Sequence, residues 1–89
     1  MRKLNDMFHI EGEQLVKTSN GQSVPEDEPI FILRGRDALA EATIGYYINL
    51  CWKMGVPEDR RQQLLAVGEK FHDYAKRKTT KTPGSTHGN

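Results

Sequence analysis

Pro25-Glu26-Asp27-Glu28-Pro29-Ile30-Phe31-Ile32-Leu33-Arg34-Gly35-Arg36-Asp37 combines an acidic, proline-bracketed turn with an apolar run that ends in two arginines. Residues 30 to 33 are continuously apolar and rich in β-branched side chains. This predicts a strand over 29–33 that is covered on both faces or lies at the centre of a sheet. Pro29 lacks an N–H and can only begin such a strand. On a strand continuing past Leu33, Arg34 and Arg36 would share one face, and Gly35 between them would let the backbone approach a ligand.

Beyond Asp37 the apolar period lengthens. Leu39, Thr43, Ile44, Tyr47, Cys51 and Met54 recur at three- and four-residue spacing, which predicts a helix over about 37–54 with that stripe facing a core. Asp37 suits the N-cap, its carboxylate accepting from the N–H of residue 39 or 40, and Glu41 adds favourable charge in the first turn. Gly55 is placed to end the helix in the left-handed region. Pro57-Glu58-Asp59 then opens a second helix over about 57–77, with Leu64, Val67, Phe71, Tyr74 and Ala75 on its apolar face and Lys76-Arg77-Lys78 at its negative end.

Toward the N-terminus, residues 7–10 and 14–17 read as short strands joined at Glu11-Gly12-Glu13, where glycine can supply the positive φ of a tight hairpin. Asn20-Gly21 marks another turn, and the polar stretch 18–28 reads as a loop. The expected class is therefore α+β: a hairpin plus one further strand, packed with two antiparallel helices in a single domain over 1–78. Residues 79–89, with Pro83, two glycines and no large apolar residue, are expected to form a flexible tail outside the fold.

A chain of 89 residues with 36% hydrophobic content has little interior in which to bury a deep catalytic cleft. Small domains commonly gain stability by pairing with copies of themselves, so a homo-oligomer is expected. Cys51 is the single cysteine, as a reducing compartment tolerates, and no apolar run approaches the length of a membrane span or a signal peptide. A cytoplasmic location without membrane association follows as an expectation.

The net charge of +1 gives no bulk attraction for nucleic acid, but its distribution is uneven. Residues 1–28 hold three basic and six acidic groups, net −3, whereas residues 29–89 hold ten basic and six acidic groups, net +4. Such polarity can steer an anion to the second half, or bring the acidic arm of one subunit to the basic face of another.

His9, His72 and His87 stand far apart, and no H-x-x-x-H, C-x-x-C or calcium-loop spacing occurs, so no metal site and no cofactor is expected. Cys51 lies mid-helix on the apolar stripe, where a thiol acts as a small core hydrophobe. Ser19, Ser23 and Ser85 lack a glycine elbow or an evident histidine partner. The reading is of a binder, not an enzyme.

Arg34 and Arg36 present forks suited to phosphate or carboxylate beside the start of a helix. They are equally suited to salt bridges with Asp37, Glu28 or another subunit. Tyr46 and Tyr47 point about 100° apart, so one has spare surface. Trp52 falls off the stripe and is either packed on another subunit or free to stack on a planar ring, with Lys53, Arg60 and Arg61 around the same turn. Glu26, Asp27 and Glu28 read as a solvated turn or as a partner-binding surface.

The 25–37 segment, followed by Ala42 to Tyr47 and Gly55-Val56-Pro57, resembles small, mostly uncharacterised proteins encoded by bacteriophages and prophages, over about residues 20–75. Asp27, Glu28, Pro29, Arg34 and Asp37 are the matching positions. The resemblance implies a viral accessory role that occupies something of the host's. The first functional expectation is an oligomeric, non-enzymatic protein that sequesters a nucleotide or cyclic nucleotide signal in counter-defence, with Arg34 and Arg36 on phosphates, Tyr47 or Trp52 on bases, and Lys53 also among the ligand-binding residues. The alternative is an inhibitor that docks on a host protein through Glu26, Asp27 and Glu28. A DNA-binding role for the second helix ranks third, because Glu58, Asp59, Glu69 and Asp73 interrupt its basic residues.

Overall fold

A computed structural model describes residues 1–84. The chain divides into two compact units, Met1–Phe31 and the remainder from Ile32. The first carries β1 (Arg2–Lys3), β2 (Phe8–Glu11) and β3 (Gln14–Lys17), and the second carries α1 (Ala40–Lys53) and α2 (Glu58–Arg77), an α+β composition.

The three strands form one antiparallel sheet in the order β1-β2-β3. Glu11 pairs with Gln14 and Phe8 with Lys17, so the β2–β3 loop is Gly12-Glu13. Gly12 has φ +59 and Glu13 is not left-handed, the pattern of a turn with glycine at its first central position. The loop between β1 and β2 is held by Asn5, whose Oδ1 accepts from the N–H of Met7 at 2.8 Å and of Phe8 at 2.9 Å. After β3 the chain turns back at Gly21, and Val24 donates to the Leu15 carbonyl at 2.8 Å, covering part of the β3 edge. Val16 is buried in this unit at 2% exposure.

The third strand is thus Arg2–Lys3, and the strand expected over 29–33 does not form. Residues 29–33 make no backbone hydrogen bond among the described residues. Their side chains are exposed instead of covered: Ile30 53%, Phe31 84% and Ile32 76%. Apolar, β-branched composition supplies strand propensity, but a strand needs a partner edge, and among the described residues none pairs with this segment.

The helices run antiparallel. Glu41 meets His72, Ile44 and Ile48 lie against Gly68, and Trp52 meets Arg61, so partners descend α2 as they ascend α1. The turn between them is a Schellman cap: Gly55 has φ +71, Val56 donates to the Cys51 carbonyl at 3.0 Å and Gly55 to that of Trp52 at 3.4 Å. Pro57 serves as the N-cap of α2, with Glu58 and Asp59 in its first turn and Lys76 and Arg77 in its last.

The apolar stripe of α1 is rotated by about one residue from the expected phase. Ala40, Ile48 and Cys51 are the buried positions, whereas Leu39, Tyr47 and Met54 are exposed. On the α2 side Gly68 faces the Ile44–Ile48 edge: a Cβ there would lie 3.6 Å from both Ile44 and Ile48, at ordinary contact distance. Leu64, Val67, Phe71, Tyr74 and Ala75 on α2 are half-buried, along the expected face.

Helix α1 begins at Ala40 instead of Asp37, which sits in the preceding turn. The N-cap is Leu39, without a side-chain cap bond, so Asp37 does not fill the N-cap expected of it. The Asp37 Oδ1 accepts from the Leu39 N–H at 2.8 Å within the turn, and its carbonyl accepts from Ala40 at 3.1 Å.

Candidate functional site

Arg34 through Asp37 form a turn closed by the Asp37 N–H on the Arg34 carbonyl at 3.0 Å. Against it runs the segment after α2. Lys81 donates to the Arg36 carbonyl at 2.9 Å and accepts from the Ala38 N–H at 2.8 Å, a parallel bridge opposite Asp37. The tail expected from residue 79 therefore belongs to the fold at Lys81: two backbone bonds tie it to the α1 approach, which offsets the ordering entropy that its polar composition alone would not. The last residues of that expected tail, with Ser85 and His87, lie outside the described residues.

This pairing creates a cleft of about 170 Å³ lined by Arg34, Arg36, Asp37, Lys81, Thr82 and the Ile32 side. Three cations and one carboxylate face the same volume. Among the described residues the ion pairs are Lys3–Asp6, His9–Glu11 and His72–Glu41, so neither arginine nor Lys81 is neutralised by a salt bridge. The Asp37 carboxylate already accepts from Leu39. The cleft accordingly presents guanidinium and ammonium donors in excess over acceptors, the chemistry of a carboxylate or phosphate grip.

The two arginines share this cleft through a turn, not through alternation along a strand. Gly35 serves packing: a Cβ on it would stand 3.2 Å from Cγ and Cδ1 of Tyr74 in α2, so the missing bulk admits a neighbouring ring instead of a ligand.

The remaining expected ligand residues are elsewhere. Tyr47 is exposed near the middle of α1, and Trp52 and Lys53 are at its far end, about 18 Å along the axis from Ala40. That separation exceeds the reach between base and phosphate of one mononucleotide. One face of the Trp52 ring is occupied by Arg61, whose guanidinium carbon lies 3.7 Å from the ring centroid. The Arg61 Nε is buried there without a hydrogen-bond partner. Glu26, Asp27 and Glu28 are exposed in the first unit, in a turn closed by the Glu28 N–H on the Pro25 carbonyl at 3.2 Å.

Sequence reasoning missed Lys81. Its signal lay in Thr79-Thr80-Lys81-Thr82, β-branched threonines with strand propensity, ended by the turn pair Pro83-Gly84. It also missed a groove of about 400 Å³ between the helices, floored by Ile44, Ile48 and Leu65 and rimmed by the Glu41–His72 pair, whose Oε2 and Nδ1 are 2.5 Å apart. Gly45 and Gly68 leave that groove open.

Among the described residues no group of histidine, cysteine, aspartate or glutamate is arranged to hold a metal ion, and no helix is long and apolar enough to cross a membrane. Comparison of the chain with protein-family models, with curated proteins and with solved structures finds no match.

Proposed function

We propose that this protein is a small, non-enzymatic, phage-type accessory protein that binds the anionic group of a small ligand, a nucleotide or cyclic nucleotide, and sequesters it as an oligomer in the host cytoplasm. The observation that carries the reading is the convergence of Arg34, Arg36 and Lys81 on one cleft without a neutralising ion pair. Three cations against the single carboxylate of Asp37 leave the cleft with an excess of positive charge, which an oxyanion offsets while accepting several charge-assisted hydrogen bonds. Thr82 adds a hydroxyl at the rim.

The size of the cleft sharpens the ligand. Sites that enclose a whole small molecule measure about 300–1,000 Å³. At about 170 Å³ this one accommodates a phosphoryl or carboxylate group and leaves the rest of the ligand outside. Specificity for a base would then come from a surface beyond the cleft, and Trp52, with Arg61 on one face and at the far end of α1, is not that surface for the same phosphate on one chain.

Titration calorimetry with inorganic phosphate, mononucleotides and cyclic dinucleotides tests this. Binding to the wild type is expected, with a loss of about 10- to 100-fold for Arg36→Ala and for Lys81→Ala, the value of one charged hydrogen-bonding partner. Absence of heat with every one of these anions ends the reading.

A further inference from the structure

The segment expected to be a strand has the composition of one but no partner among the described residues. Ile30, Phe31 and Ile32 are exposed, and residues 29–33 leave their backbone groups unpaired among the described residues. Exposed apolar residues with an open backbone form a template for strand addition. The flanks say which strand fits. Glu26, Asp27 and Glu28 precede the apolar run and Arg34 and Arg36 follow it, so the segment is charged oppositely at its two ends.

We infer that residues 28–34 pair antiparallel with the same residues of a second copy, about a two-fold axis at Phe31. This register sets Phe31 against Phe31, Ile30 against Ile32, Glu28 against Arg34 and, next outward, Glu26 against Arg36. Acid meets base in both of these charged pairs, on both sides of the axis, while Asp27 falls opposite Gly35. Parallel self-pairing would instead stack like charges, and an antiparallel register slipped by one residue would set Glu28 against Leu33 or Gly35.

Pro29 fixes the remaining choice. Lacking an N–H, it must occupy a position that does not donate to the partner, so Phe31, two residues on, also belongs to a non-hydrogen-bonded pair. That is the closer of the two pair types and brings the phenyl rings together, while each Ile30–Ile32 pair exchanges both backbone hydrogen bonds. By the same alternation Glu28 and Arg34 fall at hydrogen-bonded positions, but the Glu28 N–H and the Arg34 carbonyl are already used by their turns, so the backbone ladder is confined to the two Ile30–Ile32 pairs and Glu28 meets Arg34 through side chains. On the outward edge Pro29 offers no donor, which discourages a third strand and keeps the assembly a closed dimer.

The interface deepens the oligomeric part of the proposed function, and its test is separable from that of the anion cleft. A guanidinium has five donors, so Arg34 can meet Glu28 of the second copy and still face the cleft. Sedimentation equilibrium or native mass spectrometry of the full chain is expected to show a particle of twice 10.1 kDa. Phe31→Asp is expected to give monomer and to keep phosphate binding. Glu28→Arg alone and Arg34→Glu alone are each expected to weaken the dimer by about tenfold or more, because each replaces attraction by repulsion on both sides of the axis.

The double variant Glu28→Arg/Arg34→Glu is expected to restore the dimer but not the phosphate affinity. Circular dichroism of each variant reports that the fold is retained. A wild type that is monomeric at every concentration overturns the interface. So does a dimer indifferent to Phe31→Asp, which would place contact on another face such as the helix groove, or a double variant that stays monomeric. A wild type that dimerises but gives no heat with phosphate overturns the cleft reading alone, and one that binds phosphate as a monomer at every concentration overturns the interface alone.

Discussion

The helix pair and the segment that leads into it use the same kinds of residue to opposite ends. Between α1 and α2, apolar side chains are taken out of water: Ile48 is buried against Gly68 and Cys51 lies beside it on the stripe. In residues 30–32, equally apolar side chains remain in water because no edge among the described residues receives them. Cations divide in the same way. Arg61 is laid on Trp52 and supports the fold, whereas Arg34, Arg36 and Lys81 are gathered in a cleft and form no ion pair among the described residues. Burial and pairing mark what serves folding, and their absence marks what is left for a partner.

The contrast is broken most severely at Ile48. Ile48→Ala is expected to cost about 2–3 kcal/mol through lost burial and the cavity left between the helices, as measured by urea unfolding. A cost below about 1 kcal/mol would place the helix pair on a level with the exposed segment and remove the distinction.

Gly35→Val follows, because it thrusts side-chain bulk onto a Tyr74 ring already 3.2 Å from the Cβ position. A loss of about 1–3 kcal/mol is expected from overpacking, with Gly35→Ala at the low end. If Gly35→Ala instead abolishes phosphate binding without a change in the melting curve, glycine serves the ligand after all.

The smallest effect is expected at Arg61. Removing its guanidinium from the Trp52 ring in Arg61→Ala should cost about 0.5–1 kcal/mol, as befits a partly exposed cation–π contact. It should also raise the accessibility of Trp52 to an aqueous fluorescence quencher. Unchanged quenching would mean that the ring face was open, and would return Trp52 to the pool of stacking surfaces.

Much of the secondary structure was legible because its signals are local. Gly12 and Gly55 each supply the positive φ expected of them, the Asp37 carboxylate meets the predicted N–H, and both helices fall within three residues of their expected bounds. The site was legible in part. Arg34 and Arg36 could be nominated from composition and position, but Lys81 lies some 45 residues further on, and only the parallel bridge to the Asp37 turn brings it there. The functions expected of Gly35 and Trp52 were displaced by Tyr74 and Arg61, neighbours from α2 that no local pattern announces.

Turn chemistry, helix period and capping act over a few residues, so the sequence by itself determined the hairpin, the two helices and the charge reversal across Ile30 to Leu33. Which strand became third, which phase of α1 turned inward and which cations share a cleft were decided by tertiary structure alone. Each of these depends on whether a complementary surface exists at a distance along the chain: β2 offered an edge to Arg2–Lys3, α2 offered Gly68 to Ile44 and Ile48, and nothing in the described residues pairs with the backbone of residues 29–33.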